Sequence, residues 1–512
     1  MGAVLTAPLT SRELLRWAAG RYGDTEALVH GARRFSFTDL LVQAGRLAAG
    51  LAARGVRAGD RVGLWLPNWP EWVFARYALG ILGAVVMPIN TRYKSQELAY
   101  CLRQSGCAAL LSADRFLSID FRAMVEAVRS DLPDLRWVAY PDDIAAMSEA
   151  APLAPESWPP LSADDVGYLL YTSGTTSFAK GVQLTHRNLS RNTVEAGRVV
   201  GLQPGERVLT VIPLFSSFGT CHISLATLSA GATMVLQDHF EPLATLDLLA
   251  RERITYFIGV DTMVLAMAET GRIGAHDLTE LRRLMAAPLN GAAITAAYEQ
   301  MKVAEVWTGY GLTEASAISG LARARGPEDE ARFSPLPGVE IRVVDPETLE
   351  PRSVGQPGEL LIRGGHVTPG YYRMPEETAK LLLPDGWMRT GDLGREESPG
   401  LFRFLSRLKE VIKTGGFLVA PLEVEAVLAT HPAVAEACVI PAPDDRLGEV
   451  GLAAVQLRPG ATCTADELLA LCRARLATFK VPRRVVFVDD YPRTATGKIQ
   501  RARLRERVGS GA

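Results

Sequence analysis

Six cysteines in 512 residues, at 101, 107, 221, 438, 463 and 472, form no C-x-x-C pair and no zinc-like spacing. That excludes a disulfide scaffold and a thiolate metal centre, and fits a reduced, cytoplasmic compartment. Excess charge of either sign is also missing, since 55 Lys and Arg face 57 Asp and Glu. No basic face is set aside for nucleic acid, which is not an expected partner. The longest apolar run, Tyr77 to Ile89, is shorter than the roughly 20 residues that cross a bilayer, and no basic-then-apolar leader opens the sequence. Gly2 and Thr6 satisfy a myristoylation pattern, but without a polybasic neighbour the match is read as coincidence. Internal repeats and low-complexity tracts are absent. What remains is 48% hydrophobic residues, ample for the cores of a two- or three-domain soluble protein without a membrane span.

Periodicity supplies the organisation. Helical spacing in Leu14, Leu15, Trp17, Ala18 and again in Leu40, Leu41, Ala44, Leu47, Leu51 flanks an alternating stretch, Arg34-Phe-Ser-Phe-Thr38. Strand and helix patterns then alternate from Arg61-Val-Gly-Leu-Trp-Leu66 to Ala108-Ala-Leu-Leu111, and resume after a proline-rich connection, Ala151 to Pro160. Such alternation predicts doubly wound parallel sheets covered on both faces. From about 334 short strands and turns predict a small β subdomain, and past 409 the pattern predicts a separate α+β unit. There Thr464-Ala-Asp-Glu467 has the form of a helix capping box. The expected fold is therefore α/β and α+β: a large N-terminal domain, 1–408, and a small mobile C-terminal domain, 409–512.

One stretch concentrates polar chemistry. Tyr171 to Val182 carries five serine and threonine hydroxyls, two glycines and one lysine directly after the apolar run Val166-Gly-Tyr-Leu-Leu170. Glycines allow close backbone approach to an anion, hydroxyls and amides donate to its oxygens, and a lysine adds mobile charge. An ordinary turn-rich loop has similar composition. A Walker A loop fits less well, because Lys180 is followed by Gly181-Val182 rather than by Ser or Thr.

Four later stretches could complete a nucleotide site: Tyr310-Gly-Leu-Thr-Glu314, Trp387-Met-Arg-Thr-Gly-Asp392, Arg407-Leu-Lys-Glu-Val-Ile-Lys-Thr-Gly-Gly416 and Pro492-Arg-Thr-Ala-Thr-Gly-Lys-Ile499. In this order and at these separations they resemble the acyl-adenylate-forming superfamily of acyl-CoA synthetases, luciferases and adenylation domains. Pro88-Ile-Asn-Thr-Arg-Tyr93 also matches, so the resemblance spans essentially the whole chain.

The resemblance implies ATP, Mg²⁺ and an acid as reactants, and CoA as the usual second substrate. It implies that Thr172, Ser173, Gly174, Thr175, Thr176 and Lys180 hold ATP on its pyrophosphate side. Tyr310 and Gly311 are expected beside adenine, Thr313 at the α-phosphate, Glu314 on Mg²⁺, and Asp392 with Arg407 on the ribose. Lys498, followed by Arg501, Arg503 and Arg505, could be a solvated basic tail, but the resemblance makes it the residue that bridges the attacking carboxylate and the α-phosphate. Lys409 falls at the family's hinge. Rotation there would withdraw Lys498 and bring the Lys413 to Val424 segment, with Gly415 and Gly416, to the site for the second half-reaction. A homodimer is among the expected states.

Several positions depart from the family pattern. Ser177-Phe-Ala-Lys-Gly181 stands where Gly-x-Pro-Lys-Gly is common. Ser216 stands where histidine is usual near the acyl carboxylate, in Pro213-Leu-Phe-Ser-Ser-Phe-Gly219. Ser217, Phe218 and His222 fall on a stretch that lines the acyl pocket in relatives, although a lone histidine is more often structural. No aspartate stands beside Phe218 to hold an α-ammonium, which weighs against α-amino acids. Asp261 replaces a common proline and could meet a substrate amino or hydroxyl group, or be a solvated helix cap. Near Pro288, Met285 narrows a run that is usually small. Together these predict an AMP-forming ligase for a small, polar or aromatic acid. Transfer to a carrier protein or an amine, including nitrite activation for an arylamine, is kept as an alternative second step. A nucleotide-binding non-enzyme is the rival from another class.

Overall fold

The computed structural model describes residues 10–172, 179–285, 292–326, 329, 331–414, 417–444, 446–493 and 499–509. Their strands and helices form a large N-terminal α/β domain and a small C-terminal α+β domain, as the alternation predicts.

Among the described residues seven strands build the first sheet. Its order runs Gly370–Tyr371, Lys180–Thr185, Val166–Thr172, Val85–Pro88, Arg61–Trp65, Ala109–Ser112 and Trp137–Ala139, and the neighbours are parallel from Val166–Thr172 onward. Parallel sheets need helices on their faces, and the helix Pro70–Leu82 answers that need. Each of its residues except Glu71 is buried, and it stops at Gly83, whose φ of 67° is the left-handed conformation glycine adopts without strain.

The second sheet has thirteen strands among the described residues. Its parallel part runs from Glu26–His30 through Thr233–Leu236, Arg207–Thr210, Tyr256–Ile258 and Arg283–Met285 to Glu305–Tyr310. From there it continues antiparallel through Gly320–Ala324, Arg332–Pro335, Leu401–Arg407, Met388–Ser398, Gly358–Gly364 and Val339–Val344. The strands past 334 thus extend this sheet rather than forming a layer of their own. Glu26–His30, about 200 residues earlier in sequence, pairs with Thr233–Leu236. A period of two marks a strand but says nothing of its partner.

The small domain carries a five-stranded sheet and helices Pro421–Ala429, Ala465–Arg475 and Arg501–Gly509. The capping box is formed: Glu467 N donates to Thr464 Oγ1 at 3.2 Å, and Thr464 N donates to Glu467 Oε2 at 2.7 Å. All six cysteines are free thiols, and no helix among the described residues is long and apolar enough to cross a membrane.

Candidate active site

Tyr310 ends the strand Glu305–Tyr310, where the thirteen-stranded sheet turns from parallel to antiparallel. Its ring stacks on Phe333 at 4.4 Å and lies near-parallel to Phe404 at 5.9 Å. Its hydroxyl donates to Asp392 Oδ2 at 2.7 Å. Asp392 and Arg407 face each other as register partners across two antiparallel strands. Arg407 Nη1 lies 2.9 Å from Asp392 Oδ1. That contact has the distance of an ion pair without the angles of a hydrogen bond, so the buried Oδ1 keeps an unused acceptor position. Burial pushes the Asp392 carboxyl up to about 6, against the lowering effects of Arg407 and the Tyr310 hydroxyl. A half-exposed guanidinium beside a buried carboxylate with acceptor capacity suits a pair of ribose hydroxyls.

The turn after Tyr310 is tight. A Cβ on Gly311 would sit 2.1 Å from Ala317 O, so only glycine lets the chain fold back there. Ser316 and Ala317 then take φ of 53° and 77°, a strained conformation for non-glycine residues of the kind that clusters at functional sites. The turn presents Thr313, whose Oγ1 donates to Ser217 Oγ at 3.0 Å. It also presents Glu314, whose Oε1 accepts from the Tyr371 hydroxyl at 2.8 Å. Two predicted groups far apart in sequence, Thr313 and Ser217, are therefore in direct contact.

Thr172 and Lys180 are register partners on antiparallel strands. The phosphate-loop motif thus joins strand to strand, not strand to helix as a Walker A loop does. Ser173, Gly174, Thr175 and Thr176 lie outside the described residues, as do Ser177 and Phe178. Lys180 Nζ pairs with Glu377 and sits 5.0 Å over the Tyr371 ring. Glu377 also pairs with Lys380 at 2.7 Å, and the two lysines hold its carboxyl down to about 2. Lys180 and Glu314 are thus both anchored on Tyr371, whose hydroxyl is raised above its ordinary range by burial and by the neighbouring Glu314.

Around Phe218 the chain winds as a π-helix, Phe218–Ile223. Ser216 serves that turn locally. Its hydroxyl donates to Pro213 O at 2.7 Å and accepts from Gly219 N at 3.1 Å. Phe218 is half-buried, and His222 stacks behind it at 5.1 Å and 12°. Only 2% of His222 is exposed, its Nδ1 has no hydrogen-bond partner among the described residues, and burial lowers its pKa to about 4. The imidazole is therefore neutral and does not face open space. Asp261 is buried and accepts from the Tyr298 hydroxyl at 2.6 Å, so it is no solvated cap. Met285 is buried at the end of its strand beside Ile258 and Trp307; Pro288 lies outside the described residues.

Residues 15–372 match the model of the AMP-binding enzyme family, and residues 423–498 match the AMP-binding enzyme C-terminal domain. The chain belongs to this family. A feruloyl-CoA synthase of an Amycolatopsis species is 36% identical to this AMP-binding enzyme, over 94% of the chain and 96% of the relative. ATP-bound MatB from Rhodopseudomonas palustris superposes with a TM-score of 0.88 at 30% identity, over 98% and 99% of the two chains. The anthranilate CoA ligase AuaEII in complex with anthranoyl-AMP superposes with a TM-score of 0.90 at 27% identity, over 99% of each chain. The chain is thus an AMP-forming ligase of the acyl-adenylate-forming superfamily, which removes the non-enzyme reading.

In this AMP-binding enzyme the structure describes only part of the remaining predicted set. Lys409 lies in the 3₁₀ turn Leu408–Glu410, directly after Arg407, and burial lowers its pKa. The segment expected as a loop from Lys413 to Val424 holds the strands Ile412–Thr414 and Phe417–Val419 and the start of helix Pro421–Ala429. Gly415, Gly416 and Lys498 lie outside the described residues, as does the Lys413 side chain. Beyond Lys498, Arg501 donates to both oxygens of Glu425 at 2.7 and 3.0 Å and lies 3.3 Å from Glu410 in the turn. Sequence reasoning missed Tyr371 and Glu377, for which nothing local gave a signal. It also missed Arg76, whose signal was a lone charge inside an apolar helix.

Ser217→Ala tests whether the Thr313–Ser217 contact matters. Loss of one hydrogen bond worth about 1 kcal/mol predicts a roughly fivefold drop in the rate of adenylation. Pyrophosphate-release kinetics measure it, and an unchanged rate would separate this contact from the chemistry.

Proposed function

We propose that this AMP-binding enzyme is an ATP-dependent acid:CoA ligase for a small polar or aromatic carboxylic acid. The observation that carries the reading is the Thr313–Ser217 hydrogen bond. It joins the turn assigned to the nucleotide to the segment assigned to the acid. A substrate carboxylate oxygen attacks the α-phosphorus of ATP, the bond to the bridging oxygen of pyrophosphate breaks, and acyl-AMP forms. The CoA thiolate then attacks the acyl carbon and AMP leaves.

Each residue has a part in this scheme. Asp392 and Arg407 orient the ribose, and Tyr310 holds Asp392 in place beneath adenine. Thr313 turns its hydroxyl proton from Ser217 to the α-phosphate, its oxygen then accepting from the Ser217 hydroxyl, and Lys180 meets the pyrophosphate side after leaving Glu377. Glu314, its carboxylate oriented by Tyr371, fits Mg²⁺, which takes few protein carboxylates alongside phosphate oxygens. That ion would neutralise phosphate charge. Lys498 serves adenylation and the Lys413, Gly415 and Gly416 segment serves thioester formation, with Lys409 as the pivot between them. An aromatic acid is supported by the feruloyl-CoA synthase and anthranilate CoA ligase likenesses.

The test is a pyrophosphate-release screen over aromatic, dicarboxylic and aliphatic acids and nitrite, each with and without CoA or an amine. Release with a small aromatic or polar acid, followed by a CoA thioester, is the expected outcome. Turnover that never yields a thioester sinks the second half of the reading and moves the acceptor to an amine or carrier protein.

A further inference from the structure

Arg76 is wholly enclosed, at 0% exposure, in the middle of the buried helix Pro70–Leu82. Taking a charge out of water costs several kcal/mol unless it is paired. Its hydrogen-bond partners among the described residues are nonetheless all neutral. Nε donates to the Tyr168 hydroxyl at 2.6 Å, and Nη1 donates to Thr220 O at 2.9 Å and to Ser224 Oγ. The guanidinium also lies 5.1 to 5.9 Å from the ring centres of Tyr77, Tyr168 and Trp72, a cation–π environment that offsets part of the cost. Nη2 has no hydrogen-bond partner among the described residues.

The neutral partners show what the charge holds. In an α-helix the Ser224 amide would bond to Thr220 O; here it reaches back one residue further, to Gly219 O. Thr220 O instead receives the Arg76 guanidinium and the Ser224 hydroxyl, the latter at 2.7 Å. The wider winding brings residues four apart nearly into register, which places the rings of Phe218 and His222 parallel. Immediately before this turn stands Ser217, bonded to Thr313.

We propose that Arg76 is a positioning residue for the acid pocket: it locks residues 218–223 in the widened turn and thereby sets the Phe218 ring and the Ser217 hydroxyl beside Thr313. This rests on the reading that Ser217 and Phe218 face the acid. A fork is needed because Nε holds Tyr168 on the strand Val166–Thr172 while Nη1 holds the turn; the single ammonium of lysine reaches only one of them.

Arg76→Met is tested against wild type with ferulate, anthranilate, benzoate, malonate and hexanoate. KM for the best acid is expected to rise at least tenfold and the order of preference to change, while KM for ATP stays within twofold. Arg76→Lys should restore less than half of the loss. Tyr168→Phe, which removes one acceptor and leaves the charge, should move the same parameter by a smaller factor and serves if Arg76→Met does not fold. Parallel rises in both KM values, or no change in either, overturn the proposal. A crystal structure of Arg76→Met gives a readout independent of activity: an α-wound 218–223 segment with the two rings apart is expected, and a retained π-turn with the stack intact overturns it. If wild type releases no pyrophosphate with any acid, the ligase reading falls, and the crystal structure still decides what Arg76 holds.

Discussion

Lys498→Ala is expected to lower acid-dependent pyrophosphate release by about 10²- to 10³-fold, the range seen when one charged group is removed from a developing oxyanion. In the proposed scheme Lys498 is the one side-chain cation that touches both the attacking carboxylate and the α-phosphate, so Thr313, Lys180 and Mg²⁺ replace only part of what it contributes. Thioester formation from supplied acyl-AMP and CoA should change less than threefold, because the lysine is withdrawn during that step. Following both half-reactions with one preparation keeps misfolding from mimicking the result. Unchanged pyrophosphate release would remove Lys498 from the chemistry.

Asp392→Asn should make the protein more stable and less active at once. In the folded protein its carboxyl is raised from 3.8 to about 6, mainly by burial, a difference equivalent to about 3 kcal/mol. The sign follows from proton counts. Between pH 4 and 6 the unfolded chain releases this proton while the folded protein keeps it, so stability falls with rising pH across that window and stays lower above it. Asparagine carries no such cost and still offers Tyr310 an acceptor. Urea unfolding should therefore show a gain for the variant at pH 7.5 that shrinks towards pH 4.5. KM for ATP should rise by roughly 10- to 100-fold, as expected from losing charge-assisted bonds to two hydroxyls. A variant that loses stability at pH 7.5 would mean that the Arg407 pairing outweighs desolvation.

The residues legible in the sequence were those whose chemistry is local. The capping box at Thr464 needs only four residues, whereas Gly311, Thr313 and Glu314 were singled out through the family resemblance and the structure shows them to share one short turn. Asp392 and Arg407 were assigned to one ligand separately, yet their contact comes from antiparallel register between two strands. What was not legible depended on pairing between distant strands. The β region past 334 joins the parallel sheet through Gly320–Ala324 and Arg332–Pro335, a continuity that no run of residues announces. Tyr371 gathers Lys180 and Glu314 because its short strand pairs with Lys180–Thr185. Ser216, read as a substitute for a substrate-facing histidine, has a hydroxyl occupied by the turn it starts, a role set by the π-winding and invisible in composition.

The thirteen-stranded ladder also apportions mobility. Tyr310 and Asp392 are joined through four consecutive antiparallel seams, and each strand on that route is hydrogen-bonded on both sides. Displacing one against the other means opening many backbone bonds together, so the route behaves as a single cooperative unit with a high opening free energy. Its residues form an anvil that keeps its shape through every turnover. In the proposed scheme the motion between the half-reactions is then left to the chain that follows the strand Leu401–Arg407, at the Lys409 pivot.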